Sequence, residues 1–218
     1  MYMRRLFTSF IAMAAICCAY CQHGTFYDQR ASLFEALPLD STNIVFLGNS
    51  LTNGCEWHEL FGDARMVNRG ISGDIATGVA DRLDPIIKAQ PAKIFLMIGV
   101  NDVSHQISAD SIAKDITAVV DRIVNEAPRT KLYLQSCLPF NESFHRWKNL
   151  EGKQSVIVEL NGLLEKLADD RGITWINLYP IFSDGNDNLR TEYTNDGLHL
   201  LAPGYYAWKE AIGPYVSQ

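Results

Sequence analysis

The chain has 218 residues, 47% of them hydrophobic and 20% charged, an ordinary globular composition with enough length for one self-sufficient core. Its net charge of −6, with no cluster of Lys and Arg, excludes a basic nucleic-acid-binding surface. There is no phosphate-loop lysine, dinucleotide fingerprint, His-Glu-x-x-His helix or Cys/His cluster, so neither a metal nor another cofactor is expected.

At the N-terminus Arg4 and Arg5 precede an apolar run from Leu6 to Cys18, followed by Ala19, Tyr20 and Cys21. A short basic segment, a short apolar segment and small residues describe a secretory signal peptide. The run is too short for a bilayer span. Residues 1–21 are read as that signal and residues 22–218 as a single domain, secreted or periplasmic. A retained N-terminal helix is one alternative. A lipoprotein acylated around Cys17, Cys18 or Cys21 is another, although the neighbouring residues fit it poorly. Cleavage leaves no integral membrane span and two cysteines, Cys55 and Cys137, which either pair or act as small buried hydrophobes. Oligomeric state is not readable.

Residues 22–40 show no clear period and read as a leader into the domain. Short apolar strands then alternate with amphipathic helices. The expected strands are Asn43–Leu47, Met66–Asn68, Lys93–Ile98, Leu132–Ser136 and Thr174–Asn177. Ile94 to Ile98 is apolar throughout, as in a parallel strand buried on both faces. Ser108 caps a helix whose stripe is Ile112, Ile116, Val119, Val120 and Ile123. Val156, Leu160, Leu163, Leu164 and Leu167 mark the next, ending at Arg171-Gly172. A last helix follows Pro203. This alternation predicts a three-layer α/β domain with a parallel sheet, and such sheets place their sites at the carboxyl ends of strands.

The candidate residues fall at those ends. The first strand runs into Gly48-Asn49-Ser50, where Ser50 is either a helix N-cap or a nucleophile beside unpaired backbone N–H groups. The second runs into Asn68-Arg69-Gly70-Ile71-Ser72-Gly73-Asp74, which reads as a glycine turn with a helix cap at Asp74 or as a loop aiming the Gly70 N–H into the same site. The third runs into Gly99-Val100-Asn101-Asp102, where Asn101 is a turn residue or a neutral oxyanion donor. Near the C-terminus, Asp196 precedes His199 by three residues, a spacing at which a carboxylate can hold an imidazole from behind. Each feature alone is ambiguous. Together they supply the nucleophile, base, orienter and oxyanion donors that acyl transfer needs.

In these segments the chain resembles the SGNH (GDSL-type) hydrolase superfamily, over about residues 43–212. Ser50, Gly70, Asn101 and His199 match the four residues that name it. The resemblance implies a five-stranded sheet in the flavodoxin-like order 2-1-3-4-5. It implies a catalytic set of Ser50, His199 and Asp196, and an oxyanion hole of the Ser50 N–H, the Gly70 N–H and the Asn101 side chain. The Leu138-Pro139 turn is similar to that of platelet-activating-factor acetylhydrolase-like esterases and sialate O-acetylesterases. Many members have Gly-Asp-Ser where this chain has Gly48-Asn49-Ser50, a departure bearing on local positioning.

The expected activity is a serine esterase for small ester substrates, O-acetyl groups on carbohydrates above all, since no large insertion supplies a lid. Rival readings are a lysophospholipase, arylesterase or thioesterase on the same fold, and a silent sugar-binding domain. Phe140, Phe144 and Trp147 form either an aromatic sugar platform or a cover over the core. His23, His58, His105 and His145 lack a comparable partner and read as surface residues.

Overall fold

The computed structural model describes residues 24–217, so the expected signal segment 1–21 and His23 lie outside the described residues. The chain opens with helix α1 (Thr25–Ala36), strand β1 (Ile44–Gly48), helices α2 (Ser50–Asn53) and α3 (Trp57–Phe61), and strand β2 (Met66–Gly70). It continues through α4 (Ala76–Asp81), α5 (Asp84–Ala89), β3 (Lys93–Met97), α6 (Val100–Ser104), α7 (Ala109–Glu126) and β4 (Lys131–Gln135). It ends with α8 (Gln154–Arg171), β5 (Thr174–Ile176), α9 (Tyr179–Phe182) and α10 (Ala202–Ser217). All strands pair in parallel, in the order β2-β1-β3-β4-β5, which is the expected three-layer α/β arrangement.

Side chains on a strand alternate between faces, and here both faces are covered. Val45 and Leu47 of β1 join a cluster that includes Val79 of α4, Ile112, Ile116 and Val120 of α7, and Leu160 and Leu164 of α8. Ile44 and Phe46 join the opposite cluster, with Trp57 of α3, Phe182 of α9, and Trp208 and Ile212 of α10. That double burial is why β1 and β3 read as unbroken apolar runs. On the second face Phe46 stacks between Trp57 at 3.9 Å and Phe95 at 5.2 Å, and Phe95 stacks on Tyr133 at 4.6 Å.

The helix ends follow their signals. The Ser108 hydroxyl accepts the Ser111 N–H at the start of α7, and Gly172 closes α8 in the left-handed region at φ 63°. Pro203 lies within the first turn of α10, one residue later than its start. At the far end of the same helix, the buried Lys93 ammonium donates to the Tyr215 and Val216 carbonyls at 2.8 and 2.6 Å, tying α10 to the base of β3.

Two expectations are corrected, and the alternative left open for the two cysteines is decided. Residues 22–40 are not a featureless leader, because α1 fills most of them. It shows no period because Phe26 and Leu33 are exposed while Phe34 alone of its residues is buried. Asp74 does not cap α4. Its carboxylate takes the Ile75 N–H and Arg82, while the first helical N–H, that of Ala76, is received by the Asp102 carboxylate of α6 at 3.1 and 3.3 Å. Cys55 and Cys137 do not pair, for they are buried in the two clusters on opposite faces of the sheet. Burial pushes both thiols up to about 12, with a neighbouring acid adding to each, so they are poor nucleophiles.

Candidate active site

The site is built where β1, β2 and β3 end. At Gly48 a Cβ would lie 2.3 Å from the Met97 carbonyl oxygen and 2.5 Å from the Thr52 hydroxyl, so only glycine lets β1 turn this tightly against β3. Asn49 follows, and its side-chain oxygen accepts the Leu51 N–H at 3.1 Å. Asn thus does at this position what an aspartate would do as a cap. Ser50 opens α2, where the backbone N–H has no partner within the helix.

The Ser50 hydroxyl oxygen lies 2.9 Å from His199 Nε2, and His199 Nδ1 lies 2.7 Å from Asp196 Oδ2. With its proton on Nδ1 donated to Asp196, the imidazole turns the Nε2 lone pair toward Ser50. Asp196 is fixed by more than the histidine. Its Oδ1 accepts the Leu198 and His199 N–H groups at 2.9 and 2.8 Å and faces the Thr194 hydroxyl at 3.3 Å. Burial alone would raise its pKa, but the hydrogen bonds from the His199 ring and the two amides outweigh it and hold the carboxyl below its ordinary value. The loop is pinned from the segment after β4 as well. The Asn141 N–H donates to the Gly197 carbonyl at 2.7 Å, and a Cβ on Gly197 (φ 87°) would strike the Asn141 carbonyl at 2.3 Å.

The expected oxyanion donors stand at the neighbouring strand ends, each already engaged. The Gly70 N–H donates to Asn68 Oδ1 at 2.8 Å, while Asn68 Nδ2 reaches the Thr52, Asn53 and Cys55 carbonyls behind α2. An oxyanion would share the Gly70 hydrogen with Asn68. A Cβ at Gly70 would lie 2.3 Å from the Asn53 nitrogen, so glycine is required here by the closeness of α2. Asn101 Nδ2 donates to the Asp74 carbonyl at 2.8 Å. An amide nitrogen carries two hydrogens; one orients the side chain, leaving the other for a substrate oxygen.

Several site residues carried no signal that sequence reasoning used. Asn68, Thr194 and Asn141 act through the contacts above. Trp147 packs its ring against His199, 5.1 Å between centroids and 70° between planes, with 38% of its surface exposed. The three aromatics after β4 therefore separate: Phe140 belongs to the core, Phe144 is half-buried and Trp147 borders the histidine. Beside Asn101, Asp102 is 1% exposed, and burial pushes its carboxyl up to about 7 against the opposing bond from Ala76. His58, His105 and His145 are exposed, and none joins the Ser50–His199–Asp196 chain.

Among the described residues no group of three or more His, Cys, Asp or Glu side chains could hold a metal ion, and no helix is long and apolar enough to cross a membrane. A profile described as the GDSL-like Lipase/Acylhydrolase family matches residues 46–207, a span containing Ser50, Gly70, Asn101, Asp196 and His199. Platelet-activating factor acetylhydrolase IB subunit alpha2 of Bos taurus is 29% identical over 173 residues, covering 75% of this chain and 71% of the relative. Among solved structures, a protein from Streptococcus pneumonia named for platelet activating factor aligns with a TM-score of 0.79 at 26% identity, covering 87% of this chain and 92% of the other. A GDSL-like lipase from Bacteroides thetaiotaomicron aligns with a TM-score of 0.75 at 27% identity, covering 88% and 97%.

Proposed function

Because the chain belongs to the GDSL-like lipase/acylhydrolase family, and is therefore a hydrolase, we propose that it is a serine esterase that removes small acyl groups, acetyl above all, from carbohydrate alcohols. The observation that carries this reading is the continuous hydrogen-bonded chain from Ser50 through His199 to Asp196.

In this reading the Ser50 oxygen attacks the ester carbonyl while its proton passes to His199 Nε2. The negative charge that develops on the carbonyl oxygen meets the Ser50 N–H, the second hydrogen of Asn101 Nδ2 and a shared hydrogen from Gly70. As the tetrahedral intermediate collapses, His199 returns the proton to the leaving alcohol. Water then gives a proton to His199 and attacks the acyl-enzyme, releasing the acid and restoring Ser50. Asp196 stays ionised throughout and stabilises the imidazolium.

Two observations support the substrate class. The bovine relative is named for acetyl removal. The leaving alcohol must lie on the His199 side to receive its proton, and there the exposed Trp147 ring offers a face on which a sugar can stack.

The test combines a fluorophosphonate probe, which labels activated serines, with an ester panel from acetyl to octanoyl that includes O-acetylated sialic acid and acetylated xylan. Wild type should label and should prefer acetyl over octanoyl in kcat/KM. Ser50→Ala should lose both labelling and turnover with a nearly unchanged Tm. A preference for octanoyl would favour the lysophospholipase reading, and a wild type that neither labels nor turns over would favour a silent binding domain.

A further inference from the structure

Beneath the β2–α4 loop lies a charged cluster to which the proposed chemistry assigns no part. Arg82 follows α4, and its side chain is 5% exposed. Its Nε donates to Asp74 Oδ2 at 2.8 Å, Nη1 to the Arg69 carbonyl at 2.8 Å, and Nη2 to the Gly48 carbonyl at 3.1 Å. The Asp74 side chain is 1% exposed. A Cβ on Gly78 would collide with its Oδ1, so α4 packs directly on the carboxylate. Arg69 is buried next to this pair, and its pKa falls to about 10 through burial and then through Arg82 and Arg30.

The three acceptors of Arg82 all belong to the oxyanion side of the site. The Arg69 carbonyl and the Gly70 N–H are two ends of one planar peptide group. A guanidinium bound to that oxygen fixes the plane, and with it the direction of the N–H. It also draws electron density toward the carbonyl, which makes the N–H a stronger donor. The Gly48 carbonyl lies in the turn that leads to Ser50. Asp74, gripped by its carboxylate, uses its own backbone carbonyl to hold Asn101 Nδ2. Arginine's planar fork serves three separated acceptors at once, each from a different nitrogen, a spread that the single nitrogen of a lysine does not have. As a device for stability alone the cluster is poor, because buried ion pairs can often be replaced by apolar packing at little cost, and here a second guanidinium is buried alongside.

We propose that Arg82 is a positioning residue of the esterase, its one guanidinium setting the peptide that carries the Gly70 N–H and, through Asp74, the amide of Asn101. The inference rests on the serine-esterase reading above. It places Arg82 behind the donors, acting on the oxyanion and not on the base.

Arg82→Lys keeps a positive charge but cannot reach three acceptors. On a nitrophenyl acetate it should lower kcat about 10- to 100-fold, a fraction of the ~10²–10³ that losing a whole oxyanion donor costs, with KM within about twofold of wild type. The acid limb of its pH profile should stay in place, since His199 and Asp196 are untouched. Combined with Asn101→Ala, the loss should be smaller than the product of the two separate losses, as for residues acting through one another. Lys93→Met removes the clamp on α10 at the opposite end of β3 and serves as the stability control, losing Tm while keeping kcat. A wild-type kcat in folded Arg82→Lys overturns the proposal, as do a loss confined to KM and a loss fully multiplicative with Asn101→Ala. Should Arg82→Lys fail to fold, Asp74→Asn takes its place, with the same expected loss of kcat and the same overturning results. Failure of both to fold assigns the cluster to the scaffold and overturns the proposal as well. Activity surviving in Ser50→Ala would instead sink the esterase reading itself, so the two failures are distinguishable.

Discussion

Asp196, in the loop before α10, and Asp102, in α6, carry the same carboxyl group under opposite conditions. Asp196 keeps 23% of its side chain exposed and is surrounded by donors: two backbone amides, the His199 ring and the Thr194 hydroxyl. Asp102 is sealed, with the Ala76 N–H spread across its two oxygens. The first is held below the ordinary carboxylate range and the second is pushed up to about 7. Donors, as much as burial, decide which carboxyl stays ionised. The difference matches the division of labour proposed for the two regions. A permanent negative charge helps a histidine that must become positive. The same charge next to Asn101 would oppose a developing oxyanion, and a carboxyl poised near neutrality opposes it less.

The largest expected effect comes from removing the fixed charge. Asp196→Asn should lower kcat by about 10³–10⁴, because an amide neither holds the Nδ1–H tautomer nor stabilises the imidazolium. It should also disturb the acid limb of the pH–rate profile. A loss under tenfold would mean that the backbone amides around Asp196, not its charge, organise the histidine. Asn101→Ala should cost less, about 10²–10³ in kcat with little change in KM, and should leave the shape of the pH profile alone. If kinetics of this variant show only a raised KM, Asn101 binds the ground state and the contrast between the two regions collapses.

The smallest effect is on stability and concerns Asp102. Its folded pKa of about 7 exceeds the ordinary aspartate value of 3.8. Between those values the folded chain therefore holds a proton that the unfolded chain has released, so this group's stabilising contribution is complete at low pH and fades as pH rises toward 7. Asp102→Asn has no such titration. Its Tm relative to wild type should improve on going from about pH 5 to about pH 8. A constant difference in thermal melts at the two pH values would show that Asp102 does not titrate in that window.

Much of this architecture is legible in the amino-acid order. Ile94 to Ile98 reads as a strand covered on both faces, as it is in the structure, and Ser108 and Gly172 punctuate α7 and α8 where the residue types say they should. Ser50, Asp196 and His199 stand out because a strand-end serine and an Asp-x-x-His spacing are local patterns, and the structure joins them into one chain. What escapes a reading of the sequence is non-local. Nothing in a lone arginine just after the short helix α4 announces that Arg82 grips carbonyls 13 and 34 positions earlier in the chain. The engagement of the Gly70 N–H by Asn68 is short in sequence, but it depends on how tightly β2 approaches α2. The α1 helix is hidden because its apolar residues do not share one buried face, and periodicity detects only helices that bury one. Asp102 lies in a recognisable segment, yet it is buried where the Ala76 N–H at the start of α4 meets its carboxylate, a contact across 26 positions that no spacing reveals.

The hydrogen bond between Ser50 and His199 joins residues 149 positions apart, and that separation has a meaning in time as well as in space. A ribosome makes the nucleophile early and its base late. At about 5–20 residues per second the nascent chain carries Ser50 without His199 for about 7–30 s. Throughout that interval the serine is an ordinary alcohol. In the proposed mechanism the hydrolase is therefore silent until residue 199 has been translated and the chain has closed to bring His199 onto Ser50.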